Sequence, residues 1–314
     1  MSMLLRRFTD FILQSRLQAM GAAFAISLIP LVGSSLSVLV AGLVTLRKGA
    51  YDGTLVLCAG LAPYVMSYLI ASPESSQAQM FFIATTAVVV INVFTWLYAI
   101  VLRQYGNWNL VIEIAMFSGI VMVAVVHLFY PDIQTWWSSL VTGYMNKTLN
   151  QLAIDGAVIS DDTRASLMAS TAQFAHYATG MLVASLLFNA VLQLVLARWW
   201  QAVIFNPGGL RKELHQIRLS YLSAVFFVAA IGLAVIGNAF GSDVLPVVIA
   251  AFCAAGLSLI HRMLLPNKNS WFWLTLIYLG LIFLSQVGIV AVSILGLFDS
   301  LFDFRKQFGR LNNS

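Results

Sequence analysis

Four polar side chains in or beside long apolar segments could bind a small solute: Glu113, His176, Asn189 and Gln193. They offer a carboxylate, an imidazole and two amides, which donate and accept hydrogen bonds and can carry charge. Asn189 and Gln193 are four residues apart, so they share one face if their segment is a helix. Polar groups in lipid must face protein or a cavity. The pattern therefore predicts either a substrate pocket or interhelical hydrogen bonds that hold a bundle together.

Two ionisable residues lie near opposite ends of the apolar segment at about 108–130. Glu113 and His127 are 14 residues apart, which returns them to within about 40° of one helical face. Ionisable residues inside a membrane are costly and often mark substrate or ion pathways. The alternative is that each bonds locally, to Asn109 and Tyr130, or reaches the interface. Glu113 is the favoured pocket residue of the two.

The sequence contains no self-sufficient catalytic or cofactor motif. We find no HExxH, GxSxG or Walker sequence and no paired catalytic carboxylates within an apolar segment. Cys58 and Cys253 each lie in an apolar run without metal-ligand spacing, which is typical of small core residues. We therefore expect no enzyme, no cofactor and no metal site. Active transport would need a partner or an ion gradient.

The composition indicates an integral membrane protein. Hydrophobic residues make up 60% of the chain and charged residues 9%, with a mean hydropathy of +0.88. A soluble domain has about half apolar and about a quarter charged residues. The 17 Lys and Arg residues stand in small groups at the ends of apolar segments, which is a topology signal rather than a nucleic-acid footprint. The expected environment is the lipid bilayer.

The apolar segments predict an all-α, polytopic transmembrane helical bundle of eight or nine spans with interfacial amphipathic helices. We expect an N-terminal interfacial helix at 1–18, a transmembrane domain at 19–298 and a C-terminal interfacial tail at 299–314. The spans are expected at two short segments within 19–46, then at about 52–72, 79–102, 108–130, 171–204, 217–240, 244–264 and 271–298.

The first apolar block, Ala19 to Leu46, is too long for one span. Its 28 residues would run roughly 42 Å as a helix, against a hydrocarbon core of about 30 Å. Pro30 and Gly33 interrupt it, so we expect two short helices that turn near Leu31 to Ser35. This hairpin returns Arg47 and Lys48 to the side of Arg6, Arg7 and Arg16, in agreement with the positive-inside rule.

Counting cations by side places the N-terminus inside but leaves one anomaly. With nine spans the C-terminal cations, Arg305, Lys306 and Arg310, fall outside. Either the last segment re-enters around Ser285 to Gly288, or the N-terminal hairpin is not a true pair of spans. Both alternatives stay open at this point.

Two connections are expected on the outer side. One is the short connection Ser72-Pro73-Glu74-Ser75. The other is an extramembrane insertion at about 131–170, where an amphipathic helix is expected to end at Asp155-Gly156. Ser160, followed by two acidic residues, is expected to cap a second helix.

A turn and a basic amphipathic stretch follow the segment at 171–204. The residues that could dock a partner are Asn206, Pro207, Gly208, Gly209, Arg211 and Lys212. Cation content predicts that this loop faces inside, where it is either a positive-inside turn or a docking surface for a cytoplasmic or membrane partner.

Three short motifs carry a family resemblance. They are Asn206-Pro207-Gly208-Gly209-Leu210-Arg211, the Arg47-Lys48-Gly49 turn, and Gly296-Leu297-Phe298-Asp299 with Asp303-Phe304-Arg305. The chain resembles the YybS-like family of bacterial polytopic membrane proteins over most of its length. That family is in turn distantly similar to the substrate-binding membrane components of energy-coupling-factor transporters. The resemblance implies a bacterial cytoplasmic (inner) membrane location and docking on a membrane coupling protein with ATPases.

Two functions are expected on these grounds. The first is a transport-related substrate-binding or permease component whose pocket is built from the four polar side chains. The second is a non-transporting membrane scaffold that recruits a cytoplasmic or membrane partner, or anionic lipid, through its basic inner loops. No nucleic acid is expected as a partner.

Overall fold

The computed structural model describes residues 3–70, 76–154, 160–264 and 269–306. All of the regular secondary structure in these ranges is α-helical, which confirms the predicted fold class. The helices are α1 (Met3–Gln14), α2 (Arg16–Ser27), α3 (Gly33–Lys48), α4 (Ala50–Ile70), α5 (Ser76–Tyr105), α6 (Trp108–Phe129), α7 (Ile133–Ile154), α8 (Asp161–Ala175), α9 (Ala178–Phe205), α10 (Gly209–Leu214), α11 (Tyr221–Val235), α12 (Ala239–Leu264) and α13 (Ser270–Phe302).

Six helices in the described residues are long and apolar enough to cross a membrane, which identifies an integral membrane protein. They are Ala50–Ile70, Phe81–Tyr105, Trp108–Phe129, Ala178–Phe205, Ala239–Leu264 and Ser270–Phe302. The expected eight or nine spans are not confirmed. The difference comes from α2, α3 and α11, which have 12, 16 and 15 residues. At 1.5 Å per residue they are about 18 to 24 Å long, less than the hydrocarbon core of about 30 Å.

The chain divides into two compact units, each described here by itself. Unit 1 consists of Met1–Ala115 and Leu186–Ile217, and unit 2 of Met116–Ser185 and Arg218–Ser314. Two long helices, α6 and α9, contribute residues to both units.

The N-terminal block of unit 1 forms the predicted hairpin. Helix α2 ends at Ser27 and α3 begins at Gly33, where an added Cβ would lie 2.6 Å from the carbonyl oxygen of Ile26. Only glycine permits so close a return of the chain. Arg16, at the start of α2, pairs with Asp52, just beyond the end of α3, at 2.7 Å. This ion pair confirms that both ends of the hairpin meet on one side.

Small residues let the helices of unit 1 approach closely. A Cβ on Gly53 would lie 1.9 Å from Thr45 Oγ1, and one on Gly60 would lie 2.1 Å from Ser37 Oγ. Glycines at positions facing small polar side chains therefore fix the contact between α3 and α4. Buried aliphatic side chains of α2, α3 and α4 fill the space around this contact.

The predicted N-terminal interfacial helix is present, although it ends before residue 18. Helix α1 stops at Gln14, and Ser15 caps the N-terminus of α2 by accepting a hydrogen bond from the backbone N–H of Gln18. The helix is amphipathic, with Ile12 buried and Leu4 exposed. The helix ends earlier than predicted because Ser15 caps a new helix. The prediction followed the hydrophobic pattern and did not use this local signal.

The insertion predicted at 131–170 is a helix pair in unit 2. Helices α7 and α8 pack together, and Ser160 caps α8 as predicted, accepting from the N–H of Thr163. The expected break at Asp155-Gly156 lies outside the described residues, as does the connection at 72–75. Helix α8 continues to Ala175 and the next span begins at Ala178, later than the expected start at 171.

The last long helix of unit 2 folds back on itself. Ser285 has non-helical torsions (φ 42°, ψ −111°), and a Cβ on Gly288 would lie 3.3 Å from the Cα of Leu281. Cys253 of α12 interacts with both Tyr278 and Ser293, which one straight helix would hold about 22 Å apart. We call 270–284 the first arm and 286–302 the second arm. At about 22 and 26 Å each arm is shorter than the hydrocarbon core of about 30 Å, so this candidate span has its length only as the sum of two arms. The re-entry predicted around Ser285 to Gly288 is the alternative that agrees with this reversal.

The second arm returns to the end of unit 2 where α11 begins and α12 ends. Arg218, just before α11, donates to the backbone carbonyls of Asp299 and Ser300. Arg305 donates to the hydroxyl of Ser258 near the end of α12. The reversal therefore brings Arg305 and Lys306 to the same end as Arg218, which removes the anomaly in the charge count.

The C-terminal tail expected from residue 299 begins later. Asp299, the first residue of the expected tail, is completely buried in the last turn of α13 and pairs with Arg305 at 2.8 Å. The helix ends at Phe302, and Asp303 follows in a left-handed conformation (φ 51°). A charged residue was expected to face water, but a buried counter-ion replaces that hydration here. Residues 307–314, including Arg310, lie outside the described residues.

Candidate functional site

The structure divides the four predicted pocket residues between the units. Glu113, Asn189 and Gln193 belong to unit 1, whereas His176 belongs to unit 2. Glu113 is half-buried, Gln193 is buried, and Asn189 and His176 are exposed. Glu113, Asn189 and His176 are thus accessible enough to contact a solute, whereas Gln193 is enclosed by protein.

Gln193 joins three helices of unit 1. Its Oε1 accepts from the hydroxyl of Thr95 on α5 at 2.9 Å, and its Nε2 donates to the hydroxyl of Ser35 on α3 at 3.3 Å. Thr95 is completely buried and lies within hydrogen-bonding distance of the backbone carbonyl of Ala190 at 3.2 Å. This geometry agrees with the interhelical hydrogen bonds that the sequence left open for this residue.

Glu113 and Asn189 lie in candidate spans and remain accessible. Glu113 is the sixth residue of α6, and Asn189 is one helical turn from Gln193 on α9. An exposed amide and a half-buried carboxylate at these positions can meet a ligand, water or another protein surface more favourably than they can meet lipid tails.

His176 follows the last residue of α8, outside the span that begins at Ala178. Its ring Nδ1 lies 3.3 Å from Oε1 of Gln134, and Gln134 Nε2 donates to its backbone carbonyl at 3.1 Å. The same amide donates to the carbonyl of Ala239 at 3.4 Å. Gln134 therefore fastens α7 to the starts of α9 and α12.

A second ionisable cluster lies in unit 2, formed by His127 and Asp243. The Nε2 of His127 on α6 is 2.8 Å from Oδ2 of Asp243 on α12. Asp243 is completely buried, and 14% of the His127 side chain is exposed. Both residues lie in candidate spans, which makes this pair the most deeply enclosed ionisable contact of the spans in the described residues.

Neighbouring backbone and hydroxyl groups complete the surroundings of Asp243. The backbone N–H of Gly180 donates to Oδ1 at 3.0 Å, and the hydroxyl of Thr179 also bonds the carboxylate. Trp137 on α7 donates its indole N–H to that hydroxyl at 2.9 Å. Gly180 is required because a Cβ there would lie 1.8 Å from the carbonyl oxygen of Asp243. The first turn of α9 thus holds the carboxylate at the positive end of its dipole.

Sequence reasoning identified His127 and missed its partner. The two residues are 116 positions apart, and no local pattern links them. The available signal was Asp243 itself, a carboxylate directly before the apolar segment expected at 244–264. In the described residues, no group of three or more His, Cys, Asp or Glu side chains could hold a metal ion.

The predicted docking residues form a turn and the short helix α10 in unit 1. Gly208 adopts a left-handed conformation (φ 81°), and a Cβ on Gly209 would lie 2.2 Å from Nδ2 of Asn206. Pro207, Arg211 and Lys212 are exposed. The Asn-Pro-Gly-Gly sequence thus builds a tight turn that presents two cations on its surface.

Glu213 fastens α10 to two longer helices. Its carboxylate pairs with both Nε and the terminal nitrogen of Arg198 on α9, and it accepts from the indole N–H of Trp108 at 3.0 Å. Burial raises the pKa of Glu213, but the bonds from Arg198 and Trp108 outweigh burial and hold that pKa below its ordinary value. The two exposed cations therefore stand on a helix whose position is fixed.

A second ionic network closes the end of unit 2. Arg218 contacts Asp303 at 3.0 Å, and Lys306 contacts the same carboxylate at 2.8 Å. The hydrogen bond from Lys306 holds the pKa of Asp303 below its ordinary value, and the charge of Arg218 acts in the same direction. Burial lowers the pKa of Arg305, while the carboxylate of Asp299 opposes that change. This network ties the second arm to α11 and α12.

Comparison with protein-family models, curated proteins and solved structures gives no match to this chain. The geometry of its own residues is therefore what supports a function.

Proposed function

We propose that the protein is a transport-related membrane component that binds or conducts a small polar solute, and that it is not an enzyme. The observation that carries this proposal is the exposed amide of Asn189 within the candidate span α9. A polar side chain exposed within a membrane span is more favourable next to a water-filled cavity, a bound solute or another protein surface than next to lipid tails. Glu113, half-buried in another candidate span of the same unit, adds a carboxylate.

The proposed pocket lies within unit 1 and uses three of the four residues of the sequence prediction. Asn189 and Glu113 contact the solute, and Gln193 holds the wall behind Asn189 through Thr95 and Ser35. His176, the fourth residue, belongs to unit 2 and is not part of this pocket. Solutes that combine a hydrogen-bonding edge with a positive charge, or a metal complex, fit an amide and a carboxylate.

The proposed location is a bacterial inner membrane with a cytoplasmic N-terminus. Support comes from the gathering of Arg16, Arg47 and Arg103 at one end of unit 1, where Arg103 donates to the carbonyl of Thr45. The positive-inside rule assigns such an end to the cytoplasm. The family resemblance to YybS-like proteins is part of the same proposal, as is a membrane coupling protein with ATPases that docks on the 206–212 turn.

A second function has its own supporting observation. Arg211 and Lys212 are exposed on a helix that Glu213 anchors to Arg198 and Trp108. A fixed pair of cations suits a recruitment surface, so a non-transporting scaffold for a cytoplasmic or membrane partner is the alternative.

Thermal unfolding of the purified protein with a panel of vitamins, metal ions and nucleosides tests the transport proposal. A ligand that binds only the folded protein raises its unfolding temperature. Asn189→Leu should remove that increase. Gln193→Leu, one turn away, is the matched variant and should lower unliganded stability, because it breaks the bonds to Thr95 and Ser35.

Failure of every panel member to stabilise the protein would count against transport. In that case the scaffold is tested by affinity purification from membranes with Arg211→Glu and Lys212→Glu. Loss of a partner in these variants, with retention in the Lys147→Glu control on α7, would support recruitment. Retention of the same partner by all three variants would exclude the 206–212 surface.

A further inference from the structure

His127 and Asp243 belong neither to the proposed pocket nor to the proposed docking surface, so their contact has no role in the proposed function. It joins α6 and α12 within unit 2, through a distance of 2.8 Å between Nε2 and Oδ2. An ion pair can hold two helices together, but an apolar contact of similar volume often stabilises a protein as much or more. Stability alone therefore does not account for a histidine and an aspartate at these positions, whereas their ability to bind a proton does.

Burial fixes the charge that the pair can carry. Asp243 has no exposed surface, and a lone buried carboxylate costs several kcal/mol or more. Gly180 and Thr179 bond it without supplying charge. A proton held by the pair, either on His127 as an imidazolium or on Asp243 as a carboxylic acid, gives a site with no net charge. Loss of that proton leaves a net negative charge away from water.

The proton has a defined path between the two groups. In one arrangement it is bonded to Nε2 of His127 and donated to Oδ2 of Asp243. In the other the N–H bond has broken, an O–H bond has formed on Oδ2, and the neutral imidazole accepts from it with its remaining proton on Nδ1. These two forms have the same atoms and charge, and they differ only by transfer across the 2.8 Å contact.

Access to this proton is through the histidine. The His127 side chain is 14% exposed, while Asp243 is fully enclosed. Phe240, one turn before Asp243, packs edge-on against the imidazole with the ring centroids 5.8 Å apart. The imidazole is thus held in one orientation, with Nε2 on the carboxylate.

The groups that contact the pair are uncharged, so the net charge of the site depends on His127, Asp243 and the proton. From α9 the contacts are Gly180 and Thr179, and from α12 the ring of Phe240. From α7, Trp137 reaches Thr179, and Gln134 links to His176, the next ionisable group in this network. His176 is exposed and bonds to Gln134 rather than to Asp243.

We propose that His127 and Asp243 form a binding site for one exchangeable proton, which is the coupling ion of the proposed transport. The assignment of coupling rests on the proposed function, whereas proton binding stands on the geometry of unit 2 alone. Of the two energy sources left open by the sequence, a partner or an ion gradient, this inference selects a proton gradient and makes the docking of ATPases unnecessary for energy supply.

Nitrogen-15 NMR of histidine-labelled protein in lipid nanodiscs tests proton binding directly. The chain has four histidines, and His127→Gln identifies the signal of interest by its loss. Infrared difference spectra over the same pH series report the carboxyl group of Asp243. We expect the His127 signal and one carboxyl band to change together at one point of the pH series, because the two groups share one proton.

Variants show whether the two groups act as one site. Asp243→Asn retains an acceptor for the N–H of Gly180, so it is the mildest change to the carboxylate. It should remove the carboxyl band and shift the pH response of His127, because coupled groups titrate together. His176→Gln and His261→Gln should leave both responses in place. Should Asp243→Asn fail to fold, the wild-type spectra and His127→Gln still decide.

The proton site is overturned if the wild-type signals of His127 and the carboxyl band stay constant over the series, as for a permanent ion pair. The proposed function fails separately if the ligand panel is negative while both signals respond to pH. With a ligand in hand, uptake into proteoliposomes should increase at least several-fold under an imposed proton gradient. Asp243→Asn should lose that increase and keep ligand-induced thermal stabilisation.

Discussion

Arg305 donates its Nε–H to the carboxylate of Asp299 at 2.8 Å, and both side chains are almost completely removed from solvent. This ion pair lies where the second arm of α13 ends. It is also a place where a single substitution leaves a charge buried without a partner.

Replacing Arg305 with Met should destabilise the protein by about 3–5 kcal/mol, because the carboxylate of Asp299 would stay buried and uncompensated. Lys306→Met is the matched control, since that side chain is 78% exposed and its pair with Asp303 lies at the surface. Denaturant unfolding in detergent measures both. The double variant Arg305→Met, Asp299→Leu should recover much of the loss. Equal effects of the two single variants would contradict a special role for the buried pair.

The reversal at Ser285 predicts the sidedness of the C-terminus. In a background with Cys58 and Cys253 replaced by Ser, single cysteines at Ser270 and Lys306 mark the start of the first arm and the region after the second. Both should react with a membrane-impermeant maleimide from the same side, because the arms fold back on each other. Labelling from opposite sides would show instead that 270–302 crosses the membrane once.

Two glycines of unit 2 provide a matched test of helix packing. A Cβ on Gly256 would lie 2.0 Å from the carbonyl oxygen of Val292, whereas one on Gly280 meets nothing within 4 Å. Gly256→Ala should cost about 1–3 kcal/mol through overpacking. Gly280→Ala should be neutral or stabilising by up to about 1 kcal/mol, since alanine favours helix. Unfolding measurements that ranked the two variants in the opposite order would refute the close approach of α12 and the second arm.

Acid should weaken the attachment of α10. The pKa of Glu213 is lowered in the folded protein, so its contribution to stability is fully present above the ordinary glutamate value of about 4.3. That contribution is lost as the pH falls through the lowered folded value. Glu213→Gln should therefore reduce stability at neutral pH and flatten its decline below about pH 4.3. Gln216→Ala, at an exposed amide just beyond α10, serves as the control and should keep the wild-type pH profile, because it removes no titratable group.

Local signals predicted local structure well. The turn predicted near Leu31 to Ser35 and the cap at Ser160 depend on residues a few positions apart. The cap is present, and the turn lies slightly earlier than predicted, between Ser27 and Gly33. The position of Ser285 came from a different kind of argument, because only the count of cations required the chain to return there. The distribution of cations along the whole chain thus constrained where the last segment turns, which hydrophobic periodicity alone does not.

The polar contacts inside the units were beyond such reasoning. Gln193 was identified as either pocket or packing, and its bonds to Thr95 and Ser35 depend on residues 98 and 158 positions away. The partner of His127 could not be assigned for the same reason. Side chains in a helical bundle select partners by the rotation and height of whole helices, which a single sequence does not specify.

The hydrogen bond from the indole of Trp200 to the hydroxyl of Thr9 joins residues 191 positions apart within unit 1. At a synthesis rate of about 5–20 residues per second, α1 waits roughly 10 to 40 seconds on the ribosome before its partner exists. The whole of 116–185, which belongs to unit 2, is made in that interval. Until the ninth helix arrives to complete the unit, α1 can pack on α2 and α3, which are made directly after it, and its exposed apolar side chains can lie in the headgroups.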